Sequence, residues 1–323
     1  MKKLFIMGLA AMGMALTACN SDETVEMAKG NAIGFKTFVN NSTRTATDVT
    51  TESLDAFKVW GLMNKGNSTG TPFVGKEVTK GTDGWSYQTP VYWEKGYAYS
   101  FVALAPNNAY TFTAPTVINT WGSLTFENRT GETDLIYATA KQETVAGNTC
   151  PASVNLTFNH MLSRVRFQFE NGMADGSVLT VSNVKIIDAY TSGTATLAEQ
   201  LTVNSWTPGQ GTGALEFDGA AAMEKDAKEA TAHKYMIPAT KDYKLSFTVT
   251  RVHHGVTDVY NHNNVKLQGL TFEPGKSYQL TAKFTAENIN PDEELCPIEF
   301  TATVNPWESV DDQSFNVKPA TNN

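Results

Sequence analysis

Val154-Asn155-Leu156-Thr157-Phe158-Asn159 and, six residues on, Val165-Arg166-Phe167-Gln168-Phe169-Glu170 alternate strictly between apolar and polar side chains. Successive side chains of an extended chain point to opposite faces, so each run has one face to bury and one to wet. The same period of two returns at Tyr243–Val249, Tyr278–Phe284 and Ile298–Val304, and more loosely at Phe57–Gly61. Turn-forming residues separate the runs: Gly81-Thr82-Asp83-Gly84, Glu94-Lys95-Gly96, Asn171-Gly172, Pro208-Gly209 and Glu273-Pro274-Gly275. Only Ala220–Ala230 has the composition of a helix, and it is short. Short strands with regular turns and almost no helix predict an all-β chain built as β-sandwiches. About fifteen candidate strands exceed one seven- or eight-stranded sandwich, so the chain is expected to divide. The polar stretch Lys141–Pro151 is the expected boundary, with one sandwich over residues 31–150 and a second over 151–323.

The N-terminus is different in kind. Lys2 and Lys3 precede a short apolar run, Leu4 to Leu16, which ends in Leu16-Thr17-Ala18-Cys19. The run is too short to span a bilayer, and small residues before a cysteine suit a peptidase that cuts ahead of a lipid-modified thiol. Residues 1–18 are therefore expected to be a lipoprotein signal peptide, with Cys19 as the lipid-bearing first residue of the mature chain. Residues 19–30, polar and acidic, read as a tether. The formal charge of −8 becomes −10 once Lys2 and Lys3 leave. Such a chain has no basic surface with which to neutralise phosphates, and nucleic acid is not an expected partner. Export to an oxidising compartment permits a disulfide between the two remaining cysteines, Cys150 and Cys296.

Candidate chemistry is sparse, and no enzyme, metal or cofactor is expected. Gly66-Asn67-Ser68-Thr69-Gly70 has the spacing of a nucleophile elbow, but it lies among turn residues with no helix after it. His253, His254 and His262 share one hairpin with Asp258. Adjacent histidines on a strand point to opposite faces, which spoils chelation. Asp55, Asp134 and Asp188 show no pairing that would support glycoside hydrolysis. The aromatics Trp85, Tyr87, Tyr92, Trp93, Tyr97, Tyr99 and Phe101 crowd one hairpin. They are expected to be core and cross-strand pairs, with a flat sugar-binding platform as the alternative.

The segment with mechanical potential is the first strand. Ile33, Phe35, Thr37 and Val39 share one face, and a small polar stretch, Asn40 to Thr47, follows directly. Arg44 is the only basic residue between Lys36 and Lys58. A cut between Arg44 and Thr45 would separate the lipid-bearing first strand from the body. The groove left behind would have unpaired backbone groups that a strand from another subunit could fill.

Several segments together resemble the fimbrillin family, the lipoprotein pilins of type V fimbriae. They are Ile33-Gly34-Phe35 with Thr43-Arg44-Thr45, Pro90-Val91-Tyr92-Trp93 leading to Tyr99–Pro106, and Asp134-Leu135-Ile136-Tyr137-Ala138. Further along are Val154–Val165 with His160-Met161-Leu162-Ser163-Arg164, then Pro274-Gly275-Lys276-Ser277-Tyr278 and Val304-Asn305-Pro306-Trp307. The resemblance implies two tandem transthyretin-like β-sandwiches. It also implies an outer-membrane lipoprotein at the cell surface, with Asp22 and Glu23 resembling a surface-transfer signal. It implies an arginine-specific protease as a partner, acting at the position of Arg44, and removal of the strand carrying Ile33, Phe35, Thr37 and Val39. Donor-strand exchange with other fimbrial subunits would follow, in a fimbria that touches a host or bacterial surface ligand. The tail, Glu308–Asn323, departs from a good donor: Val310, Phe315 and Val317 are its only large apolar residues. A permanently anchored, glycan-binding lipoprotein is the alternative function, and a surface hydrolase a third.

Overall fold

The computed structural model describes residues 32–39, 48–143, 151, 153–291, 298–307 and 313–316. Its strands form four sheets. The first runs, edge to edge, through Phe35–Val39, Val154–His160, Ile136–Gln142, Ala98–Ala105, Ala56–Lys65, Ser68–Gly81 and Gly84–Ser86. The second comprises Trp206–Pro208, Ser192–Thr196, Ser123–Glu127 and Tyr110–Thr113. The third runs through Lys228–Ala230, Ser163–Asn171, Lys276–Phe284, Phe300–Pro306 and Gln313–Asn316, with Lys234–Met236 also on Ser163–Asn171. The fourth holds Thr212–Glu216, Val178–Tyr190, Ala239–His253 and Val256–Phe272, with Ala220–Met223 beside Val178–Tyr190. A turn of 3-10 helix at Val203–Ser205 is the only helical element among the described residues. The chain is all-β and sandwich-like, as its alternation predicts.

Burial follows the period of two where one face of a strand is wet. Val165, Phe167 and Phe169 enter a core shared by the third and fourth sheets with Leu245, Phe247, Leu280 and Phe300. Strand Ala98–Ala105 is buried on both faces, which explains its unbroken apolar run. Its Tyr99, Phe101, Ala103 and Ala105 enter a core that the first sheet makes by curling on itself. Val102 and Leu104 face the opposite way, onto Leu124, Phe126 and Trp206 of the second sheet and its surroundings.

The expected boundary at 150/151 does not coincide with a change of sheet. Strand Val154–His160 pairs with Phe35–Val39 and Ile136–Gln142 in the first sheet, and the chain passes to the third sheet through Met161 and Leu162. Ser192–Thr196 later returns to pair with Ser123–Glu127. Alternation identifies a strand but carries no information about its partner. The helix-like stretch Ala220–Ala230 forms strands Ala220–Met223 and Lys228–Ala230 instead. Ala220 and Met223 are buried against Val178–Tyr190, and this long-range packing outweighs the weak helical preference of alanine.

Phe101 is fully buried at the centre of the curled sheet. Phe101→Ala is expected to cost about 3–5 kcal/mol, read as a lower denaturant midpoint with an unchanged m-value.

Candidate functional site

Among the described residues, strand Phe35–Val39 is an edge strand with a neighbour on one side only. It runs parallel to Val154–His160, with Phe35 opposite Val154 and Val39 opposite Phe158. Ties outside this ladder, among the described residues, include an antiparallel bridge between Ala32 and Tyr92. The Ile33 amide donates to Val91 O at 2.8 Å, Tyr87 Oη donates to Ile33 O at 2.6 Å, and the Val39 amide donates to Thr51 Oγ1 at 2.9 Å. Ile33, Phe35 and Val39 are buried, Thr37 is half-buried, and Lys36 and Phe38 point outward. Phe38 is 56% exposed, a large apolar side chain on the outer face of the edge.

Phe35 occupies an aromatic cage. Its ring centroid lies 5.9 Å from Phe57, 5.5 Å from Phe73, 5.9 Å from Tyr87 and 6.1 Å from Phe101, every pair edge-to-face. Edge-to-face pairs place the positive rim of one ring on the negative face of another, at about 0.5–1.5 kcal/mol each beyond burial. The cage draws on strands from the middle and far side of the first sheet, so the edge strand plugs the core that the curled sheet encloses.

Immediately down the chain from the Asn40–Thr47 segment the backbone is fixed by a different kind of contact. Asp48 is buried, and its carboxylate accepts from Arg164 Nη1 and, at 2.6 Å, from Tyr235 Oη. Arg164 Nε also donates to Ser277 Oγ at 3.1 Å, and the guanidinium lies 5.1 Å over the Trp307 ring. Trp307 is fully buried, stacked on His160 at 4.0 Å and on Tyr235 at 5.6 Å. His160 Nδ1 lies 3.0 Å from Asp134, which also accepts from the Val49 amide at 2.9 Å. Residues 48 and 49 are thus fastened to both halves of the molecule. Burial, and after it the charges of Arg164 and Arg166, hold His233 down at about 4, below the usual histidine range.

The other sequence candidates are dispersed. Trp93 and Tyr99 are buried and meet edge-to-face at 4.8 Å; Trp85 tilts onto Phe57 at 5.0 Å. The near-parallel pair in this hairpin, Tyr99 and Phe101, is buried in the core, Trp85, Tyr87 and Tyr97 are half-buried against it, and Tyr92 is exposed. Gly66 to Gly70 spans a hairpin turn and the start of strand Ser68–Gly81. The adjacent histidines do not diverge. His254 has a φ of 48° in the turn, which lets its ring stack on His253 at 4.0 Å. His262 turns into the core, with Nε2 3.1 Å from Ile289 O. Among the described residues no three His, Cys, Asp or Glu side chains are grouped to hold a metal, and no helix is long and apolar enough to cross a membrane. Cys19, Arg44, Thr45, Cys150 and Cys296 lie outside the described residues.

The sequence does not mark the buried polar junction as a site. His160, Arg164, Asp134 and Trp307 stand in segments that carry the family resemblance, and the polar His160 and Ser163-Arg164 flanking Met161 and Leu162 are the one local signal. Asp48 has none, being one more polar residue in a polar stretch.

The family described as fimbrillin-like matches residues 43–307. No curated protein sequence matches the chain. Among solved structures, a fimbrial protein from Bacteroides vulgatus is similar at 15% identity and a TM-score of 0.59, covering 88% of this chain and 99% of its own. The fimbrial anchor protein Mfa2 from Porphyromonas gingivalis matches at 12% identity and a TM-score of 0.37, covering 85% of this chain and 98% of its own.

Two outcomes test the junction. Asp48→Ala removes one partner of a buried ion pair and is expected to cost about 3–5 kcal/mol in denaturant unfolding. His233 takes up its proton less readily folded than unfolded, so stability falls as the pH drops from about 6.5 towards about 4. His233→Gln should flatten that part of a stability-against-pH profile.

Proposed function

The chain belongs to the fimbrillin-like family, and from that premise we propose that it is a non-enzymatic, structural or adhesive subunit of a cell-surface fimbria. It is exported as a lipoprotein through Cys19 and delivered to the outer membrane. A cut by an arginine-specific protease between Arg44 and Thr45 then frees the strand carrying Ile33, Phe35, Thr37 and Val39, and a strand from another subunit takes its place.

One observation carries this reading: the strand just ahead of Arg44 is an edge strand whose inward side chains plug the core. An edge strand can leave without breaking a ladder on two sides, and its departure exposes both a row of backbone groups and an apolar slot. Residues 48 and 49, just beyond the cut, are held by Arg164, Tyr235 and Asp134, so the body keeps its start when the strand goes.

On cells, wild-type protein should lose its lipid-bearing N-terminal segment to an arginine-specific protease and enter SDS-resistant complexes with other fimbrial subunits. Arg44→Ala should fold normally by circular dichroism, keep that segment and remain outside the complexes. An Arg44→Ala protein that assembles as well as wild type would sink the proposal.

A further inference from the structure

The slot under strand Phe35–Val39 makes a specific demand on whatever fills it. Ile33 is fully buried, Val39 is 1% exposed, and Phe35 is surrounded by four rings, while Thr37 is half-buried. A replacement must therefore carry a large aliphatic residue, then an aromatic one, then a small or β-branched one, then an aliphatic one, at alternate positions. It must also bring an amide N–H at the last position, where the Val39 amide donates to Thr51 Oγ1.

The chain's own tail does not meet that demand. With Phe315 in the cage and the tail running in the direction of Phe35–Val39, Gln313 takes the fully buried place of Ile33. Pro319, which has no N–H, takes that of Val39. With the direction reversed, Val317 suits the place of Ile33, but Asp311 falls in the apolar place of Val39. A buried polar or charged side chain without compensation is unfavourable in either case. The tail is also engaged elsewhere. Gln313–Asn316 pairs antiparallel with Phe300–Pro306, Gln313 opposite Val304 and Asn316 opposite Thr301, as the edge of the third sheet.

We infer that this chain accepts its completing strand from a different protein, one carrying an aromatic ring for the Phe35 cage, and does not donate its tail to a second copy of itself. The inference rests on the strand-exchange reading above and sharpens it. This subunit does not build a stalk of its own copies; it occupies a position where its neighbour on the accepting side is another kind of subunit.

The test uses the full chain nicked after Arg44 by an arginine-specific protease, with fluorescent peptides in excess. The probes are Asn31–Val39 as it stands, the same peptide with Phe35→Ser, and the tail Glu308–Asn323. The unaltered peptide is expected to exchange into the nicked protein and co-migrate with it. Loss of the caged ring should reduce occupancy about tenfold or more. The tail peptide should not enter, and the nicked protein alone should stay monomeric when concentrated. Entry of the tail peptide, or a ladder formed by the nicked protein alone, overturns the inference and leaves strand exchange standing. Equal occupancy by the Phe35→Ser peptide overturns the aromatic requirement. Failure of the unaltered peptide to enter overturns the strand-exchange reading together with the inference.

Discussion

A carboxylate and a guanidinium buried together are each costly to leave alone, and Asp48 and Arg164 stand in that relation. The contact is not between neighbours in sequence. It joins the first described residue after the Asn40–Thr47 segment to a strand of the third sheet, with Tyr235 and Ser277 completing the hydrogen bonds and Trp307 roofing the guanidinium. Around it the chain crosses from the first sheet to the third at Met161 and Leu162, and returns near it at Tyr235 and again at Trp307. The centre so enclosed is polar and aromatic, and it joins the first sheet, through His160, to the third, through Arg164 and Tyr235.

The edge strand is governed by opposite terms. It is held by backbone pairing to one neighbour and by apolar side chains dropped into a cavity, contacts that any strand of the right pattern could reproduce. The strand and the Asp48 anchor lie only a few residues apart on either side of Arg44. A replaceable contact and an irreplaceable one thus flank the bond whose cleavage would separate them.

The alternation at Val154–Asn159 and Val165–Glu170 was legible because side-chain period depends on the strand alone. Which sheet each joined was not, because Val154–His160 and Ser163–Asn171 read alike and part company at two residues. The inward set Ile33, Phe35, Thr37 and Val39 was visible for the same reason. The aromatic cage was not, since Phe57, Phe73, Tyr87 and Phe101 meet only when the first sheet curls. Ala220–Ala230 misled because alanine favours helix locally, whereas pairing to Val178–Tyr190 is decided at a distance. Asp48 is the extreme case: nothing in its surroundings marks it, and its role exists only through Arg164 and Tyr235, over a hundred residues away in the chain.

The parallel course of Phe35–Val39 along Val154–His160 has a mechanical side. A strand lying in such a slot, pulled along its own length, is loaded in shear: every backbone pair and every seated side chain resists at once. The same strand peeled from one end would give way pair by pair. A join made in this slot would be strong under axial tension and weak under peeling, and it would have a fixed register, because the cage seats a ring at one point along the groove.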